Sequence, residues 1–139
     1  MYLDTSVVVK LYTHEADSAA CEQMVVGHKI VSSELLYAEF WSALLAKERS
    51  GALAPGQRLV VWTLFESHLI DDVVELLPLD GVIVRDAAEI RAKVHPQVPL
   101  RTLDALHLAT FAGVESGPIF SRDQRMIDAA RILGFAVVG

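Results

Sequence analysis

Four carboxylates carry the chemistry this 139-residue chain offers: Asp4, Glu39, Asp104 and Asp123. Asp4 closes the first strand-like segment, and Asp123 lies just beyond the apolar pair Ile119-Phe120. Glu39 falls in the second turn of a helix that follows a strand, and Asp104 in the first turn of its own helix. Ligands of an open parallel sheet bind outside the carboxyl ends of its strands, so four acids from four segments can meet on one rim. Acids collected in that way hold cations. Simpler readings stay open for each. Asp104 and Asp123 can complement helix N-termini, worth about 0.3–1 kcal/mol apiece, and Asp4 can be a turn or cap residue. Glu39 sits among Ala38, Phe40 and Trp41, which implies a largely buried surround. A buried carboxylate needs a cation or strong donors, and an arginine would serve as well.

The segments that must position these acids alternate. Residues 1–4 read as a short strand with the Val7-Val8-Val9 run packed over it, and Thr5 and Ser6 suit a helix start. Asp17 to about Val26 reads as a helix stopped by Gly27, and Lys29 to Ser32 as a second strand. Ser33 is placed to cap an amphipathic helix to about Arg49, with Leu36, Phe40, Ala43 and Leu44 on one face and Ser50-Gly51 at its end. Pro55 opens a helix to about Ile70. Val73–Leu77 is a strand closed by Pro78, Asp80 to about Val94 is helical, and residues 95–99 break the pattern. Thr102 is placed to cap a helix to about Val114, followed by a Gly117-Pro118 turn and the strand Ile119-Phe120. Ser121 and Gln124 have capping-box spacing for a helix ending at Gly134, before a last strand over 135–138. This alternation predicts an α/β fold, a mainly parallel sheet of about five short strands flanked by helices, in one domain over 1–139.

Composition bounds the setting. Cys21 is the lone cysteine, so no internal disulfide forms, and with no leader ahead of the first strand a reducing, cytoplasmic location is expected. No apolar run approaches the ~18 residues that span a bilayer. Hydrophobic residues make up 53% of the chain, enough to predict an apolar face for a partner or a second copy. The net charge of −6 argues against a general nucleic-acid coat. Setting aside the four candidate acids, each −1, brings it to −2, so bulk charge does not decide the matter.

Four stretches resemble the motifs of PIN-domain proteins, in particular the VapC toxins of toxin–antitoxin pairs. They are Tyr2-Leu3-Asp4-Thr5-Ser6 with the valines after it, Ser32 to Leu44 with its acid at Glu39, Leu103-Asp104-Ala105-Leu106-His107-Leu108-Ala109-Thr110, and Phe120-Ser121-Arg122-Asp123 with Ala129 to Phe135. The resemblance runs in order along nearly the whole chain and includes all four family acids. It implies a PIN-like fold and endonucleolytic cleavage of RNA that leaves a 3′-hydroxyl and a 5′-phosphate. It also implies a VapB-like antitoxin partner and a homodimer. For such a reaction Mg²⁺ suits a site of few carboxylates, and Mn²⁺ substitutes. Asp4, Asp104 and Asp123 are then the expected metal contacts, with Glu39 binding metal or orienting water. Ser6 and Ser121 are expected to hydrogen-bond the carboxylates or a phosphate. Arg101, Arg122 and Arg125 lie close enough in sequence to meet RNA phosphates.

The other notable residues read as structural. His107 follows Asp104 by one helical turn, but among Leu106, Leu108 and Ala109 it suits the core better than a metal. Trp62 and Phe65 suit core or interface, and the stretch from Pro55 to Val98 carries no motif. A haloacid-dehalogenase-like phosphatase would need a second Asp where Ser6 stands. A non-catalytic interaction module and a metal-dependent DNA or flap nuclease remain as alternatives, since carboxylate chemistry does not reject deoxyribose.

Overall fold

The computed structural model describes residues 1–114 and 117–139. Five strands, β1 (Tyr2–Leu3), β2 (Ile30–Ser33), β3 (Val74–Leu77), β4 (Ile119–Phe120) and β5 (Val137–Val138), form one parallel sheet in the order β3-β2-β1-β4-β5. The helices are α1 (Thr5–Tyr12), α2 (Ser18–Val25), α3 (Leu35–Ser50), α4 (Gln57–Ile70), α5 (Gly81–Val94), α6 (Thr102–Ala112) and α7 (Gln124–Ile132). The expected α/β class, with five short strands and a parallel sheet, is what the chain adopts.

The order of strands fixes where a site can be. β1 is central: Tyr2 pairs with Val31 of β2 on one side and Ile119 of β4 on the other. The chain first winds outward through β2 and β3, then returns to add β4 and β5 on the opposite side. The reversal leaves a crevice between the carboxyl ends of β1 and β4, the place where open sheets bind ligands. Asp4 follows β1 directly, and Ser121 follows β4.

Two-residue strands suffice because each sends one side chain to each face. Tyr2 and Ile119 pack with Ile90, Val94, Leu108 and Met126, so α5, α6 and α7 cover that face. Leu3 and Phe120 pack with Val7, Val8, Leu36, Phe40 and Phe65 under α1, α3 and α4. An aromatic knot joins these three helices. The Phe40 and Phe65 rings lie 4.7 Å apart, Tyr12 lies 5.4 and 5.6 Å from them, and the Tyr12 hydroxyl reaches His68 Nδ1 at 2.6 Å.

Several boundaries differ from those expected. α3 begins at Leu35, and Ser33 Oγ accepts from the Leu35 N–H at 3.3 Å. α4 begins at Gln57 rather than Pro55, because Gly56 turns the chain with φ +87°. Thr102 is the first residue of α6 rather than its cap, and Asp104 reaches back to the Arg101 N–H at 3.3 Å. α7 is capped by Asp123, not Ser121, because the Ser121 hydroxyl is buried and committed to Asp4 at 2.6 Å. The last strand shrinks to Val137–Val138. Among the described residues no helix is long and apolar enough to cross a membrane.

Phe40 is fully buried at the centre of the knot. Phe40→Ala should cost about 3–5 kcal/mol by leaving a cavity that three helices cannot close together. Urea unfolding should show that loss as a lower midpoint with little change in slope.

Candidate active site

Asp4 is tied down from both sides of the crevice. It ends β1 and caps α1: one carboxylate oxygen accepts from the Val7 N–H at 3.1 Å and the Ser6 hydroxyl at 2.7 Å. The other oxygen accepts from the Ser121 hydroxyl at 2.6 Å. Both serines are engaged again, since Ser6 Oγ accepts from the Arg122 N–H and Ser121 Oγ from the Asp123 N–H, each at 3.0 Å. The Asp4 carboxylate is 4% exposed. Burial pushes its pKa up, an effect that the serine hydroxyls, the His107 ring and the Val7 N–H only partly offset.

Asp123 and Asp104 flank it on two helix N-termini. Asp123 caps α7 by accepting from the Arg125 N–H at 2.9 Å, and the Arg125 guanidinium lies 3.5 Å away. Burial alone would raise the Asp123 carboxyl, but these Arg125 contacts win and hold it below the usual range. Asp104 goes the other way: burial, then the charge of Asp123, raise it despite Arg101 and Arg125. The two acids are near enough for the charge of Asp123 to raise the Asp104 carboxyl.

Glu39 comes from α3. Its Oε2 accepts from the Thr5 hydroxyl and lies 2.8 Å from His107 Nε2. Burial works to raise its pKa, but the His107 and Thr5 hydrogen bonds outweigh burial and lower it. His107 is buried as the sequence implied, with Nδ1 2.9 Å from the Tyr2 hydroxyl. Sequence reading missed its hold on Glu39 and that of Thr5. The available signal was the spacing of Asp104 and His107, three apart on α6 and hence on one face.

The arginines divide. The Arg122 guanidinium lies 3.5 Å from Asp17 and 5.3 Å from the Phe120 ring centre, and Arg125 faces Asp123. Arg101 is exposed at the start of α6 and joins none of the ion pairs among the described residues.

As the side chains lie, no three metal-ligating groups among the described residues stand close enough to grip one ion. The donor set nevertheless fits a hard divalent cation. It is all carboxylate oxygen, Asp4 and Asp104 face no lysine or arginine within ion-pair distance among the described residues, and both are raised by burial. Glu39 Oε1 has no hydrogen-bond partner among the described residues.

The PIN domain family model matches residues 1–132. The chain belongs to the PIN domain family. Ribonuclease VapC46 of Mycobacterium tuberculosis (strain ATCC 25618 / H37Rv) is 36% identical, covering 99% of this chain and 95% of that protein. Among solved structures, the M. tuberculosis toxin VapC20, described as cleaving the sarcin–ricin loop, superposes with a TM-score of 0.72 at 17% identity, covering 97% of this chain and 95% of that one. VapBC2 from Rickettsia felis, solved bound to a promoter DNA fragment, gives 0.67 at 16% identity, and FitAcB from Neisseria gonorrhoeae 0.68 at 19%. Each of these two alignments covers 99% of this chain and 96% of the other. At such identities the structures establish the shared PIN fold.

In this PIN domain Asp4 and Asp104 act against stability when no cation is present. A carboxyl raised by folding is penalised in full above its folded pKa, and the penalty disappears below its unfolded value of about 3.9. Asp104→Asn should therefore melt about 1–3 °C higher than the parent in metal-free buffer at neutral pH, a modest gain because Asp104 is only partly shielded. Thermal melts at descending pH should show the difference closing as the parent's carboxyl protonates.

Proposed function

We propose that the protein is a divalent-metal-dependent endoribonuclease, the toxin of a type II toxin–antitoxin pair. The observation that carries the reading is the charge at the β1/β4 crevice: Asp4 and Asp104 are burdened by burial, and no lysine or arginine among the described residues pairs with them. The near-full-length likeness to a named VapC ribonuclease supports RNA as substrate. Mg²⁺ is the cation proposed, with Mn²⁺ as substitute.

Asp4, Asp104 and Asp123 would hold the ion, and Glu39 would bind it or orient the attacking water. When bound, the ion lowers the pKa of water and offsets charge developing on the phosphoryl oxygens. The chain's own residues supply the positions. Ser6 and Ser121 fix both Asp4 oxygens, leaving Asp4 little freedom to turn away. Asp123 is fixed by the first turn of α7 and Asp104 by the Arg101 N–H. Arg101 is the best placed of the three arginines to meet a phosphate, because Arg122 and Arg125 already face acids.

The reading includes a VapB-like antitoxin that silences the enzyme, a homodimer built on the chain's exposed apolar side chains, and action in the cytoplasm. Val60 and Ile70 are 71% and 84% exposed, consistent with surface left for a protein partner.

Purified protein free of any partner should cut a cellular RNA pool at discrete sites with Mg²⁺ or Mn²⁺, and EDTA should stop it. Asp4→Asn should lower cleavage by more than about a hundredfold, beyond the range typical of residues that only support a ligand, while its circular dichroism stays that of the parent. Full cleavage by folded Asp4→Asn, or cleavage indifferent to EDTA, would refute the assignment.

A further inference from the structure

Glu39 is attached to the interior of the protein through a chain of three side chains. The Tyr2 hydroxyl lies 2.9 Å from His107 Nδ1, and His107 Nε2 lies 2.8 Å from Glu39 Oε2. Tyr2 and His107 are 1% and 2% exposed, whereas Glu39 is half-buried at the rim. The chain therefore runs from the centre of the sheet to the site.

In the neutral imidazole this geometry assigns the protons. The buried Tyr2 hydroxyl, 2.9 Å from Nδ1, is placed to donate to it. A ring nitrogen that accepts leaves the proton on the other one, so Nε2–H points at Glu39. The reverse tautomer would set a lone pair against a carboxylate. Thr5 donates to the same Glu39 oxygen, so Oε2 carries two donors and Oε1 has no partner among the described residues. A free glutamate side chain has about 1.5–2 kcal/mol of rotamer entropy to lose on being fixed, and here two donors at one oxygen fix it before any ligand arrives.

We propose that Tyr2 and His107 are a positioning pair that fixes the His107 tautomer and thereby presents Glu39 Oε1 to the cation. This rests on the metal-dependent reading above. Neither residue touches the substrate; both act through Glu39. Thr5 provides the second hold, and its hydroxyl also lies 3.3 Å from His107 Nε2.

The test measures Mn²⁺ binding to the RNA-free protein by calorimetry, alongside RNA cleavage, in four variants. His107→Leu removes both hydrogen bonds with little change in apolar volume. His107→Gln keeps an N–H near the Nε2 position, Tyr2→Phe removes only the hydroxyl, and Glu39→Gln provides the background for a coupling measurement. His107→Leu should weaken Mn²⁺ binding and lower kcat/KM by about 10–100-fold, and His107→Gln should recover most of both. Tyr2→Phe should weaken Mn²⁺ binding about threefold or more. Introduced into Glu39→Gln, His107→Leu should cost less than about twofold, because two changes acting through one group do not add.

A merely structural histidine would behave differently. Its loss would lower the melting temperature, leave Mn²⁺ affinity unchanged, and cost the same factor with or without Glu39. That pattern would overturn the proposal, as would Tyr2→Phe with parental Mn²⁺ affinity. If His107→Leu does not fold, Tyr2→Phe and His107→Gln carry the same comparison. A parent that binds Mn²⁺ but cuts no RNA would refute the nuclease reading while the binding series still decides the role of the pair.

Discussion

The fold turns on a buried carboxylate at the end of a two-residue strand. β1 is the centre of the sheet, yet it offers only Tyr2 and Leu3 to its neighbours. Asp4 supplies what so short a strand lacks. It caps α1 through the Val7 N–H, and its bond to Ser121 ties the end of β1 to the end of β4 across 117 positions of sequence. Ser6 returns the link through the Arg122 N–H. A charge nearly shut off from water costs several kcal/mol unless donors surround it. Here the donors are hydroxyls and an amide rather than a guanidinium, so the carboxylate is held in place while its charge is left uncancelled. The same contacts that close the crevice keep it negative.

The handling of charge elsewhere makes the contrast plain. Glu15 bridges Lys10 and Lys47 at 2.7 Å each, and Asp17 takes Lys10 at 2.7 Å and Arg122 at 3.5 Å. Lys29 lies between Asp72 and Glu75, and Arg58 against Glu48. Six acids outside the crevice pair with a lysine or arginine, counting Asp128 with Arg131. Glu22, Glu34, Glu66, Asp71, Asp80, Asp86 and Glu89 join no ion pair among the described residues, and acids outnumber bases 18 to 12. Burial sets Asp4 apart from these unpaired acids, since they are exposed or half-buried and it is 4% exposed. Asp104 is less isolated, because the charges of Arg101 and Arg125 act on it short of ion-pair distance.

Much of this was legible because the relevant signals are local. Apolar runs bounded by glycine and proline mark the strands, and period-3.6 faces such as Leu36–Phe40–Leu44 mark the helices. The rim positions of Asp4 and Asp123 followed from strand ends alone. What escaped is non-local. Ser121 has the spacing of a cap, but only the arrival of β4 beside β1 shows that Asp4 claims its hydroxyl and passes the cap to Asp123. His107 looks like a core residue because it is one, and its bond to Glu39 spans 68 positions and needs α3 and α6 to meet across β2. Thr5 was read as a helix-starting residue, with nothing local to show that its hydroxyl would reach Glu39. Side chains that connect elements are invisible until the elements are placed.

The same placement bears on how a polyanion meets an acidic protein. Two of the three arginines near the crevice already face acids, Arg122 with Asp17 and Arg125 with Asp123. An ion pair at the surface is worth only about 0–1 kcal/mol, so a phosphate can displace one at small cost. Each displacement would still return a negative charge to the rim, since the acid released stays where it was. Arg101 joins no ion pair among the described residues, although its charge acts on Asp104. Attraction of a phosphate to this face therefore depends on the charge held among the acids themselves, because a cation there reverses the sign of the field that the phosphate meets. On that reasoning the carboxylates proposed to hold the ion and the charge that would recruit a phosphate are one feature, and an acidic net charge of −6 is no obstacle to nucleic acid as substrate.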